Sequence, residues 1–247
     1  MRVSQSRVNS PVAVKISNTQ IDRLGDRLRS NEVSDADLQL LDDYRLSFAP
    51  AYEAVVDVLR STLKLEPTGR PAKSTVSIVD KLRRESLRLR QMQDIAGCRV
   101  VVDDVVRQDS AVGWLTKAFG ETSVVDRRKT PTYGYRAVHV IVRQGGTPVE
   151  IQVRTELQHG WAQLSEKLSD VVAPGIKYGG GPESLRSKLL KLSEAVGKME
   201  VVETRILSAE SRSKSIAETD AEFAEIKKEF KDLLETLIEQ GHLWEDD

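Results

Sequence analysis

The sequence predicts an α+β protein, with helices first, a central block of strands, and a C-terminal helical hairpin. Ile21, Leu24 and Leu28, then Leu38, Leu41, Phe48, Val55, Val58 and Leu59, recur at helical spacing. Between Cys98 and Arg154 the pattern changes to β-branched and alternating apolar runs. The last part returns to stripes at three- and four-residue intervals. They are Leu185, Leu189, Leu192, Val196, Met199 and Ile206, then Phe223, Ile226, Phe230, Leu233 and Leu237. With 247 residues, 39% of them hydrophobic, the chain can bury a full core, and aromatics at 5% leave that core to Val, Leu, Ile and Ala.

Taken in order, residues 1–18 read as a flexible arm, and helix begins after Ser17-Asn18. A second helix starts at Ser34, where Asp37 three residues on completes a capping-box pattern, and Pro50 should kink that helix or split it in two. Cys98 to Val102, behind Ala96-Gly97, reads as a buried strand, followed by a helix carrying Val105, Val106, Trp114 and Leu115. A strand near Ser123 to Arg128 comes next, then Tyr135 to Arg143 and Pro148 to Arg154, joined through Gln144-Gly145-Gly146-Thr147 as a hairpin. The helix from Thr155 to about Asp170 should turn Leu157, Trp161, Leu164 and Leu168 inward. Residues 171–183, with two Pro and four Gly, read as a linker or mobile loop. The organisation expected is an arm over 1–18, a domain over 19–170, a loop over 171–183 and a helical extension over 184–247. That extension either packs on the core or offers a surface to a second copy or a protein partner.

Charge is uneven. The net charge of -1 gives no global attraction to nucleic acid, yet Gly69 to Arg99 holds eight Lys or Arg against three acids. From Asp220 onward the ratio reverses, ten acids to three bases. Cys98 is the sole cysteine, which excludes an internal disulfide and a Cys-based metal cluster. The opening residues hold no signal-like apolar run and no later stretch approaches membrane-spanning length, so the expectation is a cytoplasmic protein with no membrane partner.

Two constellations carry chemistry. Lys73, Ser77, Lys81, Arg84 and Arg88 are spaced by four, four, three and four, one face of a helix whose other face holds Ile78, Leu82 and Leu89. Like charges at such spacing cost a few tenths of a kcal/mol per pair, which a polyphosphate ligand would offset and a solvated face would tolerate. Arg70 lies just upstream. In the hairpin, burying Val138, Val140 and Val142 together with Val149, Ile151 and Val153 fixes the parity of both strands. The opposite face must then gather Tyr135, His139, Glu150, Gln152 and Arg154. Asp94, before the turn into the central strand, supplies a second carboxylate beside Glu150 or simply caps that turn. Two carboxylates without a Cys or His cluster suit a hard cation such as Mg2+ held together with substrate phosphates.

These residues together resemble the RelA/SpoT synthetase domain. Asp94-Ile95-Ala96-Gly97-Cys98-Arg99-Val100-Val101 is similar to its DIAGxRV segment. Gly134-Tyr135-Arg136-Ala137-Val138-His139 resembles GYRSLH, and Val149-Glu150-Ile151-Gln152-Val153-Arg154-Thr155 resembles VEIQIRT, with Trp161-Ala162 following. The basic helix falls where that family binds ATP. The resemblance implies a mixed, mainly antiparallel sheet flanked by helices, a nucleotidyltransferase-like synthetase fold. It also implies Mg2+-dependent transfer of the β,γ-diphosphate of ATP to a ribonucleotide 3'-hydroxyl, as in the small stand-alone alarmone synthetases. By match to the motifs, Arg70 and Arg99 would sandwich adenine, while Lys73, Ser77, Lys81 and Arg84 would hold the phosphates. Asp94 and Glu150 would bind Mg2+, with Glu150 helping to deprotonate the attacking hydroxyl. Tyr135 would stack on the acceptor base with His139 and Gln152 close by.

The chain departs from the family pattern at Tyr133, where Asn usually precedes the Gly-Tyr pair. The expected acceptor is GDP or GTP. The alternatives are the toxic branch of the family, acting on adenine nucleotides or the 3' end of tRNA, and an inactive module that binds a nucleotide or a partner. Arg127-Arg128-Lys129, beside the acceptor loop, would grip either the 5' phosphates of the acceptor nucleotide or an RNA backbone. Histidines stand only at 139, 159 and 242, too few for the metal-dependent alarmone hydrolase that accompanies some relatives.

Overall fold

The computed structural model describes residues 16–207 and, beyond them, residues 225, 226, 228, 230 and 232. The expected arm up to residue 15, and Phe223, Leu233 and Leu237 of the last stripe, lie outside the described residues.

The first helices form where their caps dictate. α1 (Asn18–Ser30) starts at Ser17, whose hydroxyl and the Gln20 side chain close a capping box, and stops at left-handed Asn31. α2 (Asp35–Leu46) starts at Ser34 with the Asp37 carboxylate returning to the Ser34 backbone. Pro50 marks the split from the next helix, sitting in the first turn of α3 (Ala49–Ser61), where its missing N–H has no partner to lose. After the short β1 (Thr68–Arg70) comes α4 (Thr75–Arg84), capped by Ser74.

α4 is shorter than the cation spacing suggested. It ends at Arg84 with Glu85 extended, and Arg88 instead heads a 3-10 turn over Leu89–Gln91. Leaving the helix relieves the repulsion along that face and lets Arg88 and Arg90 meet Asp22 of α1, at 3.6 and 2.9 Å. It also drops Leu89 fully into the core.

The sheet is mixed, in the order β1-β2-β5-β4-β3. β2 (Gly97–Val102) runs parallel to β5 (Thr147–Thr155) and antiparallel to β1. β4 (Val138–Gln144) pairs antiparallel with both β5 and β3 (Thr122–Asp126). The β4–β5 hairpin has the register required by its apolar set: Val138 faces Val153, Val140 faces Ile151, and Val142 faces Val149. Gly145 and Gly146, with φ of 58° and 84°, make its two-residue turn. That valine face packs under α1 to α4 and α5 (Val105–Phe119) as one core.

A second layer comes later in the chain. α6 (Glu156–Val171) is capped by Thr155 and buries Trp161 and Leu168 against α7 (Glu183–Leu207). Residues 171–183 are not an open linker: Ala173 and Ile176 are buried in this second core, and a 3-10 turn spans Ile176–Tyr178 between left-handed Gly175 and Gly179. The C-terminal stripe continues in Ile226, buried with Ala195, Met199 and Val202. Among the described residues no helix is long and apolar enough to cross a membrane.

Candidate active site

Partnered residues on neighbouring strands point to the same side, so the ladder pairings give the polar face row by row. Arg70, Gly97 and Glu150 form one row; Thr68, Arg99, Gln152 and His139 form the next. A cleft of 470 Å³ opens over the β1–β2–β5 part of this face. Arg70, Lys73, Asp94, Arg99, Glu150 and Gln152 are in its walls.

The α4 side of the cleft is organised by Asp94. Its two carboxylate oxygens accept from Lys73 Nζ and Lys81 Nζ, each at 2.8 Å. The backbone N–H of Lys73 also donates to Ile95 O at 2.7 Å, so the start of α4 and the turn before β2 are pinned to each other. Burial pushes the Asp94 carboxyl up, but the two ammonium groups outweigh it and hold the acid below the usual carboxylate range. The basic face thus has an internal counter-ion, which its sequence spacing could not reveal. Ser77 and Arg84 stand apart from the cleft. The Ser77 hydroxyl pairs with Ser74 at 2.8 Å, and the Arg84 guanidinium lies 3.7 Å over the ring of Tyr178.

On the hairpin side Tyr135, His139, Glu150, Gln152 and Arg154 close a ring of hydrogen bonds. Tyr135 Oη meets His139 Nε2 at 2.9 Å, and His139 Nδ1 meets Glu150 Oε1 at 2.8 Å. Gln152 Nε2 donates to Glu150 Oε2 at 2.8 Å, and Arg154 donates to both Gln152 Oε1 and Tyr135 Oη, at 3.0 and 3.1 Å. Burial pushes the Glu150 carboxyl up; His139 and the Gln152 amide pull it lower still, while the charge of Asp94 opposes them. The net direction is down, which keeps Glu150 ionised. Tyr135 is not in β4 as the alternation suggested: it sits after a turn in which its own N–H donates to Thr132 O at 3.0 Å. That turn needs Gly134, at φ 87°, because a Cβ there would lie 2.7 Å from Trp161.

Arg154, left without a role by the motif match, is buried, and so is the Arg99 guanidinium in part; the Nε of each lacks a hydrogen-bond partner. Burial and the charge of Arg154 both lower the Arg99 pKa, and burial with the same two cations lowers that of His159 on α6. Crowded cations are an arrangement that an anionic ligand relieves. Strand alternation was the signal for Arg154; His159 carried none.

Arg128 and Lys129 are not brought to this face. The Arg128 guanidinium is taken up by Asp126 and Asp109, both at 2.8 Å, and by Gln108 at 3.1 Å, tying β3 to α5. Lys129 is exposed and lies outside the cleft walls. Arg127, beside them, is instead tied to the Tyr135 loop through Ala137 O and Thr132 Oγ1.

Asp94 and Glu150 share the cleft and repel each other electrostatically. Among the described residues no third His, Cys, Asp or Glu joins a metal-holding group. Two oxygen donors with open positions fit a cation such as Mg2+ that completes its shell from phosphates and water.

The chain matches the family model described as the region found in RelA/SpoT proteins over residues 69–169. It is 34% identical over 214 residues to an uncharacterized protein of Mycobacterium tuberculosis, covering 83% of this chain and 78% of that one. It is 30% identical over 105 residues to the GTP pyrophosphokinase of Haemophilus influenzae, covering 41% of this chain and 14% of that protein. The crystal structure of small alarmone synthetase 1 from Bacillus subtilis matches with a TM-score of 0.51 and 28% identity, over 69% of this chain and all (100%) of that one. Motifs, mixed sheet and polar face agree with these likenesses, and the chain belongs to the RelA/SpoT family.

Proposed function

We propose that this protein is an ATP-dependent pyrophosphokinase that places the β,γ-diphosphate of ATP on the 3'-hydroxyl of GDP or GTP. The observation that carries this reading is Glu150. It lines the cleft beside Asp94 and is also a member of the ring that includes Tyr135 and His139. One carboxylate therefore touches both halves of a two-substrate site. The likeness to a small alarmone synthetase and to a GTP pyrophosphokinase supports a guanine nucleotide as acceptor.

In this reading Arg70 and Arg99 flank the adenine, and Lys73 and Lys81 meet the polyphosphate. Ser77 and Arg84 join the phosphates only by releasing Ser74 and Tyr178. Mg2+, held by Asp94 and Glu150, would supply charge neutralisation on the phosphates when bound. The acceptor 3'-oxygen attacks the β-phosphorus, the bond from that phosphorus to the α,β-bridging oxygen breaks, AMP leaves, and the hydroxyl proton passes to Glu150. Such a transfer depends on positioning and electrostatics more than on covalent chemistry by the protein. His139 and Gln152 hold Glu150 in place for it, and Tyr135 borders the acceptor base.

Incubation with γ-labelled ATP and Mg2+ beside GDP, GTP, ATP or deacylated tRNA tests this directly. Label is expected on GDP or GTP. Label on tRNA or ATP alone would assign the chain to the toxic branch, and label on none would leave a nucleotide-binding module.

A further inference from the structure

The residues of α7 nearest the site carry no role in the diphosphate transfer itself, yet three of them reach into the loop that presents Tyr135. Ser193 donates its hydroxyl to Gly134 O at 2.6 Å, with both groups out of water. Four residues on, Gly197 leaves room for the Arg136 guanidinium: a Cβ there would lie 3.1 Å from Arg136 Cζ. Three further on, buried Glu200 places a carboxylate oxygen 3.8 Å from Arg136 Nε. Spacings of four and three put all of them on one face of α7.

The loop has reason to need this support. Tyr133 and Gly134 both hold positive φ, 53° and 87°, and a non-glycine residue in that region is strained. Within it the Tyr135 N–H donates to Thr132 O, and Arg127 ties its two ends to β3 through Thr132 Oγ1 and Ala137 O. Glu200 also accepts from Thr155 Oγ1 at 2.8 Å and Gln158 Nε2 at 2.6 Å, which fixes α7 to the residue after Arg154. The loop and the last residue of β5 are thereby referred to one rigid element. The contacts of Ser193, Gly197 and Glu200 named above do not include β1 or α4, which carry the donor-side cations.

We infer that the Ser193–Gly197–Glu200 face of α7 is a positioning element for the acceptor loop, setting where Tyr135 meets the acceptor nucleotide while leaving ATP binding to the sheet and α4. This rests on the pyrophosphokinase reading for the identity of the ligand, though not for the mechanical contact. These three are positioning residues, since none of them touches the cleft.

The test uses the full chain with Ser193→Ala, which removes one hydrogen bond, and Gly197→Ala, which displaces Arg136. Amide hydrogen exchange over residues 132–137 should quicken about tenfold in each variant, with β2 and α4 unchanged. KM for the acceptor should rise about tenfold while KM for ATP stays within about twofold of wild type. Unchanged exchange in the loop would overturn the inference, as would KM values for ATP and acceptor that rise together. Exchange needs no turnover. A wild-type chain that transfers no diphosphate would therefore sink the enzyme reading, and loop exchange alone would decide this one.

Discussion

The two halves of the site, assigned to donor and acceptor in the proposed function, are built on opposite electrostatic plans. On the donor side two ammonium groups and one carboxylate are held by charge, with Asp94 between Lys73 and Lys81. On the acceptor side five different side chains close a hydrogen-bonded ring in which each member fixes the next. A charge cluster of the first kind can exchange its partner for an incoming polyanion, which offers the two ammonium groups a stronger counter-charge. A closed ring resists rearrangement, because opening it leaves buried donors unpaired. Under the proposed function, a charged donor would thus meet exchangeable partners and the acceptor a preset geometry.

The largest break in that contrast should come where the halves meet. Glu150→Gln is expected to lower diphosphate transfer by about 10²–10⁴-fold with the fold retained, read by turnover and circular dichroism. Full activity in that variant would remove Glu150 from the reaction. Asp94→Asn should cost about 10²–10³-fold in Mg2+-dependent transfer. The same variant frees Lys73 and Lys81, so metal-free ATP should bind several-fold tighter by calorimetry, by roughly the loss of one opposing charge. Weaker metal-free binding would show that Asp94 is not their counter-ion.

Tyr135→Phe sharpens the acceptor side. It takes a partner from both His139 and Arg154, and should cost about 1–3 kcal/mol of stability and about tenfold in acceptor KM, with KM for ATP unmoved. Arg128→Gln probes the displaced candidate: acceptor KM should stay within about twofold while Tm falls by about 2–4 °C per kcal/mol lost from the β3–α5 tie. A selective rise in acceptor KM would return Arg128 to the binding site. The smallest effect concerns Glu200, whose carboxyl is pushed up by burial against the pull of Thr155 and Gln158. Folding then favours its protonated form. That stabilisation is full below the unfolded-chain value of about 4.3 and is lost as pH rises through the raised folded value. Glu200→Gln should flatten that part of the Tm–pH curve. Asp94 has the opposite sign, contributing above about 3.9 and losing its contribution as pH falls through its depressed value.

Much of the acceptor face was legible because a strand has period two: burying six apolar residues left one side for His139, Glu150, Gln152 and Arg154. The N-terminal helices were legible from caps, since Ser17 and Ser34 act on their own next turn. The donor side was legible in composition but not in pairing. Neither Asp94 between two lysines nor Asp22 beneath Arg88 is local in sequence, and both depend on how α4 packs. Arg128 misled for the same reason, its partners Gln108 and Asp109 arriving from α5. Residues 171–183 misled through glycine, which reads as freedom but here supplies the left-handed positions of a packed turn, Gly175 and Gly179.

The β4–β5 register has a consequence for the chain's life after synthesis. The residues that build the core and all the ring residues except Tyr135 alternate along the same two strands. A slip of one position would turn the ring inward and the valines outward together. Folding therefore acts as its own inspection: a chain miswired at this hairpin is also a chain with greasy surface and buried charge, fit for refolding or degradation rather than for a wrong reaction.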